Sequence, residues 1–151
     1  MAAFKFRLKN FLSLKEKIET QKKLAYGIAV TELETEKSKL NRLNSERAAA
    51  IKQFRKKLEE AVEPLTFRQY NYYLELVKKR ISEQEKNVER AEQIVIERRT
   101  ELIAAMRERK TLEVLEEKEH IEFQKEQQKL EQKAMDEIVS YQYNTPSNAE
   151  D

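Results

Sequence analysis

Pro64 is the only proline before position 146, and it stands between two long stretches with the composition of helices. A proline inside a helix removes a backbone donor and clashes with the preceding turn, and it disfavours helical geometry in the residue before it. The sequence therefore predicts that one helix ends near Val62 and that another is capped by Thr66. Little other turn chemistry exists, since the 151 residues include one glycine.

Core-type positions recur at alternating steps of four and three on both sides of the proline, which is the spacing of a coiled-coil seam. The second arm keeps this rhythm at Tyr70, Leu74, Val77, Ile81, Gln84, Val88, Ala91, Val95, Arg98, Leu102, Ala105, Arg109 and Leu112. The first arm has more polar residues at core-type positions. If its register shifts, Leu43 or Ile28 can occupy a core-type position instead. Its positions are Tyr26, Val30, Leu33, Lys37, Leu40, Asn44, Arg47, Ile51, Phe54 and Leu58.

Opposite charges gather near the two ends of the chain. Residues 1–26 contain seven Lys or Arg and two Glu, whereas residues 113–137 contain nine acidic residues and four Lys. An antiparallel fold-back centred on Pro64 lays these stretches side by side. Exposed ion pairs contribute only about 0–1 kcal/mol each, so the charges select a register more than they stabilise the fold. The predicted neighbours are Phe4 with Phe123, Tyr26 with Leu102, and Leu40 with Val88.

These patterns predict an all-α fold, an antiparallel two-helix coiled-coil hairpin with a longer second helix. Residues 1–141 form the hairpin, with a first arm over 4–61, a tip over 62–66 and a second arm over 66–140. Residues 142–151 are predicted to be a flexible tail. The end of the longer arm lacks an intrachain partner, which makes it a candidate binding surface.

No group of residues has the pattern of a catalytic or cofactor site. Gly27 lies inside a helical pattern, so no glycine-rich loop exists to hold a phosphate. His120 is surrounded by glutamates, but no second histidine or any cysteine completes a metal-ligand set. We therefore expect no enzymatic activity, no catalytic or metal-ligating residue and no cofactor. No apolar run approaches the ~20 residues that span a bilayer.

The predicted tip is aromatic and basic. We expect Tyr70 and Tyr73 to pack within the hairpin, and the remaining ring of this group, Tyr72, to form part of an exposed patch for a protein partner. Basic residues outnumber the four glutamates near the tip. Such a basic helical surface is more often a solvated face, or a contact for an acidic protein surface, than a nucleic-acid site. The basic residues are Lys52, Arg55, Lys56, Lys57, Arg68, Lys78, Lys79 and Arg80.

Two segments of the second arm, Lys110–Leu115 and Glu131–Glu137, resemble the C-terminal signature of FliJ, a family of stalk proteins in the bacterial flagellar type III export apparatus. Phe4–Leu8 and Tyr70–Leu74 resemble the family at corresponding places. The resemblance implies a non-enzymatic stalk that inserts in the hexameric flagellar export ATPase ring and couples it to the cytoplasmic part of the export gate membrane protein. Export chaperones are further expected partners, and direct nucleic-acid binding is not expected.

The same resemblance implies a cytoplasmic protein, held at the inner face of the cell membrane through its partners. Positions implied to contact the ATPase ring are Phe4, Arg7, Leu8, Lys9, Phe11, Leu130, Gln132, Lys133, Met135, Asp136 and Ile138. Positions implied to contact the gate are Leu43, Tyr73, Val77 and Gln84. The alternatives are a generic coiled-coil scaffold or chaperone escort without ATPase coupling and, less favoured, a helical arm that binds nucleic acid.

Overall fold

The computed structural model describes residues 2–145, which form two long helices joined by a short loop. Helix α1 is Lys9–Glu59 and helix α2 is Pro64–Asn144. The described residues contain no strand. The prediction of an all-α antiparallel hairpin with a longer second helix is confirmed. Most of the predicted tail, residues 146–151, lies outside the described residues, while α2 continues four residues past the predicted end at 140.

The described part of the chain divides into two units. The fold-back unit comprises residues 18–105, and the terminal unit comprises residues 2–17 together with residues 106–145. Each unit contains a portion of α1 that packs along an antiparallel portion of α2. Each unit is therefore described by its own contacts.

The loop between the helices uses Pro64 as the first residue of α2. The missing N–H of proline costs nothing there, because the first amides of a helix have no intrahelical acceptor, and its fixed φ suits the first turn. The carbonyl of Glu63 accepts the first helical bond, from the Phe67 amide at 3.1 Å. Thr66 is therefore inside the first turn, and the prediction that it caps the helix is wrong.

The α2 side of the fold-back unit follows the predicted seam. Each predicted position from Tyr70 to Ala105 is buried or half-buried. Val77 is the most enclosed, with 1% of its surface exposed, and Ile81 and Ala91 are also buried. The alternation of four and three therefore locates this core correctly.

The α1 side of the same unit differs from the predicted seam. Lys37, Asn44 and Arg47 are exposed, as is Leu58. Positions one residue earlier pack instead at two of these places. Glu36 faces inward because it accepts hydrogen bonds from Gln84, and Leu43 offers an apolar side chain where Asn44 does not. Within residues 26–58, the inward residues that the seam missed are Ala29, Glu36, Leu43 and Ala50. Of the two proposed replacements, Leu43 packs inward and Ile28 stays exposed.

The antiparallel register of the fold-back unit is centred on loop 60–63 and not on the proline. The predicted neighbours of Tyr26 and Leu40 were Leu102 and Val88. In the observed register, the α2 positions that face Tyr26 and Leu40 lie closer to the loop than predicted, by about one helical turn or more. The reason is that α1 ends before the loop while the proline already belongs to α2. The contacts that define the register are Lys22 with Glu101, Glu36 with Gln84, and Phe54 with Tyr70.

The terminal unit has a hydrophobic cluster that includes a non-helical stretch. Phe6, Leu12 and Leu112 are buried together, and three half-buried residues pack against them: Phe4, Leu8 and Leu115. The first arm was predicted from Phe4, but α1 begins only at Lys9. Residues 2–6 are non-helical, and Arg7 and Leu8 form a turn in which the Lys9 amide donates to the Phe6 carbonyl at 3.1 Å. This conformation lets Phe4, Phe6 and Leu8 all reach the cluster.

Ion pairs within the terminal unit follow the predicted charge match. Arg7 Nε lies 3.6 Å from Glu119 Oε1, and Lys15 Nζ lies 2.8 Å from Glu108 Oε2. The predicted pairing of Phe4 with Phe123 is also observed, with ring centroids 5.6 Å apart. The basic start of the chain therefore lies on an acidic stretch of α2.

Candidate functional site

The last part of α2 has no packing partner among the described residues. Every residue from 128 to 145 is exposed, and this stretch is called the C-terminal segment below. A long helix that packs on nothing gains little stability from its own apolar side chains. Its large exposed apolar residues are Leu130, Met135, Ile138, Val139, Tyr141 and Tyr143.

Helical spacing groups these side chains on a narrow face. Leu130, Ala134 and Ile138 are separated by steps of four, and Met135 and Val139 follow the adjacent row. Polar residues border this stripe, and none of the described residues forms an ion pair with the segment. The bordering residues are Gln132, Lys133, Asp136 and Glu137. The arrangement suits insertion into an apolar groove of another protein.

The N-terminal residues implied to contact the ring divide into two groups. Phe4 packs against His120 at 4.7 Å between ring centroids, and Leu8 packs on the buried cluster. These two anchor the start of the chain. Arg7, Lys9 and Phe11 are exposed, although Arg7 pairs with Glu119 and the Phe11 ring contacts the Lys15 ammonium.

The structure brings only part of the implied ring surface together. Phe4 lies beside Phe123, which precedes Leu130 by about 10 Å along the helix. Phe11 belongs to the stretch of α1 whose Lys15 pairs with Glu108, and that part of α2 is roughly 25 Å or more from the C-terminal segment. Phe4 is therefore near this segment and Phe11 is not.

The positions implied to contact the gate are mostly inside the fold-back unit. Val77 and Gln84 are buried, and Leu43 is half-buried. Tyr73 is exposed, against the expectation that it packs within the hairpin, whereas Tyr70 stacks near Phe54 as expected. Only Tyr73 of the gate set presents an open surface in this conformation.

Gln84 is the central polar contact of the fold-back unit. Its Nε2 donates to the Glu36 carbonyl at 3.0 Å and to Glu36 Oε2 at 2.5 Å, and its Oε1 accepts from Asn87 Nδ2 at 3.2 Å. The bond from Gln84 holds the pKa of Glu36 below its ordinary value of 4.5, against the opposing effect of burial and with a smaller contribution from Lys39. The predicted seam included Gln84 but not its hydrogen-bond partner Glu36, although a buried side-chain amide requires such a partner.

The Glu36 contact predicts a specific pH dependence of stability. A pKa lowered by folding contributes stability above the unfolded value, and that contribution is lost as pH falls through the folded pKa. Glu36→Gln should therefore lower the melting temperature at neutral pH, and its difference from wild type should shrink below about pH 4. Glu34→Gln, at an exposed residue without a hydrogen bond or ion pair, is the control. Equal pH profiles for wild type and Glu36→Gln would contradict this contact.

The rest of residues 2–145 offers no metal site or membrane span. No three His, Cys, Asp or Glu side chains in this range are placed to hold a metal ion. His120 contacts Phe4 and the Gln124 amide nitrogen, 3.2 Å from its Nε2. Neither helix, over its described length, is long and apolar enough to cross a bilayer.

The sequence matches the family model described as the flagellar FliJ protein over residues 4–148. The chain belongs to the FliJ family. Family membership makes it a component of flagellar type III export, a coarser statement than any specific partner. The sequence has no match among curated proteins.

The fold of this FliJ-family chain is similar to a solved structure, CT670 of Chlamydia trachomatis, described as a proposed YscO homolog. The two share 21% sequence identity with a TM-score of 0.62, and the match covers 98% of this chain and all of the other. At this identity the similarity supports the fold alone.

The two halves of the FliJ C-terminal signature have different surroundings. In Lys110–Leu115, Leu112 and Leu115 pack against the non-helical start of the chain, Phe4 to Leu8, which is called the N-terminal anchor. Glu131–Glu137 lies wholly in the exposed C-terminal segment. The first half therefore has a structural task within the terminal unit, and the second half has none within the described residues.

Proposed function

We propose that this chain is a non-enzymatic stalk and adaptor of flagellar protein export, whose C-terminal segment inserts in the hexameric export ATPase ring. The observation that carries the proposal is the exposure of the apolar stripe of the C-terminal segment, with Leu130 and Ile138 59% and 55% exposed. Contiguous exposed apolar side chains are characteristic of interaction sites. Family membership supplies the class of partner.

A single stalk in a symmetric ring has the physical property that coupling requires. Its faces differ, so it contacts different ring subunits with different free energies. A ligand shifts a conformational equilibrium only through such differential binding, and binding and conformational change are then linked in both directions. The stalk thereby biases which subunit hydrolyses ATP.

The start of the chain adds a basic surface along the part of α2 that precedes the C-terminal segment. Arg7 and Lys9 are exposed and lie near Phe4, which is anchored next to Phe123. Lys9 is available to acidic groups of the ring, whereas Arg7 is shared with Glu119, 3.6 Å from its Nε. The contribution of both charges weakens with salt because exposed charges are screened.

Contact with the cytoplasmic part of the export gate is the second half of the proposal. Tyr73 supplies the exposed aromatic surface, while Val77 and Gln84 hold the underlying helices in place. The chain then acts in the cytoplasm at the inner face of the membrane, through its partners. Export chaperones are a further partner class in this proposal.

Binding to the cognate export ATPase tests the ring contact directly. Replacing the stripe with Leu130→Ser and Ile138→Ser should weaken binding at least about tenfold, since central apolar contacts dominate interface energies. The matched control is Leu24→Ser with Ile28→Ser on α1, where the two side chains are 64% and 59% exposed. Equal affinity of the stripe variant and the control variant in titration calorimetry would refute the ring contact.

A further inference from the structure

The first turns of α2 carry an apolar face that the hairpin does not use. Leu65, Tyr72 and Leu76 are spaced by seven and four residues, which places them on one side of the helix. Val77 and its neighbours in the seam face α1 from the other side. Leu65 and Tyr72 are 64% and 73% exposed, and Leu76 is half-buried.

Basic side chains border this apolar face. Arg68, Lys79 and Arg80 are exposed, and none of them forms a hydrogen bond or ion pair with any described residue. The set of Leu65, Tyr72 and Leu76 with these three cations is called the basic stripe. Glu75 is the only acidic residue from position 64 to 82, against four basic ones.

The lack of ion pairs distinguishes the basic stripe from Arg7 and Lys15 of the terminal unit. There, Arg7 and Lys15 each lie within 4 Å of a glutamate on α2. The cations of the basic stripe are instead left for an external partner. A charged border around an apolar face determines which partners are tolerated, because like charges are repelled and opposite charges are attracted.

We propose that the basic stripe binds an amphipathic helix of another protein, whose apolar side chains are bordered by Asp and Glu. The stripe from Leu65 to Leu76 extends about 16 Å, which corresponds to about three turns of such a partner helix. Leu65, Tyr72 and Leu76 supply the helix-in-groove anchors, and the cations pair with the acidic border. This surface is separate from the proposed ring contact and does not depend on it, and it lies beside Tyr73 of the proposed gate contact without using that residue.

Other classes of partner fit the same surface less well. Phosphates need the cations but make no use of Leu65 and Leu76. A membrane surface requires the adjacent loop to approach anionic lipid, and loop 60–63 itself carries Glu60 and Glu63 and no basic residue. The chain's own C-terminal segment has a mixed border of acidic and basic residues, so a second copy has weaker charge complementarity.

Two synthetic peptides of three helical turns test the proposal against the full chain. Both are held helical by a cross-link and share one leucine stripe, and they differ only in a border of Glu or Lys. Titration of each labelled peptide, followed by fluorescence anisotropy, should show the Glu-bordered peptide binding about tenfold or more tightly. Equal affinity of the two peptides, or no binding of either, would overturn the proposal.

Variants of the full chain locate the bound peptide. Leu65→Ser and Tyr72→Ser should each weaken binding of the Glu-bordered peptide about tenfold, and Arg68→Glu should reduce the preference for the Glu-bordered peptide over the Lys-bordered one. Leu24→Ser is the matched control, because Leu24 and Leu65 are equally exposed at 64%. Far-UV circular dichroism verifies that each variant is folded. A loss with Leu24→Ser equal to that with Leu65→Ser would overturn the assignment.

Three further probes of the wild-type chain distinguish the other partners. They are phosphatidylglycerol vesicles, a duplex oligonucleotide, and light scattering of the chain alone. Weaker binding to vesicles and oligonucleotide than to the Glu-bordered peptide, with no Tyr72-dependent dimer, supports the proposal. Tighter binding to either probe, or a dimer that Tyr72→Ser dissociates, would replace it with that partner.

Discussion

Val77→Asp should lower the free energy of unfolding by about 3–5 kcal/mol, because it places a carboxylate without a partner inside the helix interface. Val77 has 1% of its surface exposed, less than the other core residues, and it lies in the α2 seam between Leu74 and Ile81. A loss of this size is a large fraction of the stability of an ordinary domain, about 5–15 kcal/mol. Urea unfolding followed by circular dichroism measures it.

Val139→Asp provides the matched control on the same helix. Val139 is 60% exposed in the C-terminal segment, so the new carboxylate stays in water and should change the unfolding free energy by less than about 0.5 kcal/mol. Similar effects of the two substitutions would show that the seam at Val77 is not the interface described above.

Phe6→Ala should destabilise the terminal unit by about 3 kcal/mol. The ring is buried between Leu12 and Leu112, so truncation leaves a cavity and loosens the stretch that also contributes Phe4 and Leu8. Hydrogen exchange should show the largest loss of amide protection in residues 9–15 and 108–119. The effect should be local, because the contacts of Phe6 belong to this unit.

Phe11→Ala distinguishes burial from the removal of an aromatic ring. Phe11 is exposed, and its ring interacts with the Lys15 ammonium, 5.2 Å from the ring centroid. Loss of such an exposed cation–π contact should cost about 1 kcal/mol or less. If Phe11→Ala destabilises the unit as much as Phe6→Ala, then the non-helical stretch does not anchor the chain as described.

The fold could be predicted because the α2 pattern and the proline both indicate a long helix that starts near Pro64. The α2 seam has few polar interruptions, so its periodicity has one solution, and Pro64 admits few positions in a helix other than the first turn. The α1 pattern has near-equivalent solutions one residue apart. Choosing between Lys37 and Glu36 required the position of Gln84, which depends on contacts across the interface.

The sequence of the N-terminal anchor contains a pattern that a helix does not explain. Phe4, Phe6 and Leu8 alternate with Lys5 and Arg7, which is a period of two and not of 3.6. The seam predicted that Val77 and Gln84 face inward, and both are buried, whereas the family resemblance implied that they contact the gate. Positions carried over from a family do not specify which side chains face inward. The exposed Leu65 and Tyr72 become recognisable as a shared face only when the seam is fixed.

ATP hydrolysis by the cognate hexameric export ATPase tests the central claim, that the C-terminal segment is a stalk which acts on the ring. The wild-type chain should raise the hydrolysis rate, the variant with Leu130→Ser and Ile138→Ser should lose most of this increase, and the Leu24→Ser, Ile28→Ser control should retain it. No increase with folded wild-type chain and an active ring would contradict the claim. Binding without any change in rate would identify a scaffold in place of a coupling stalk.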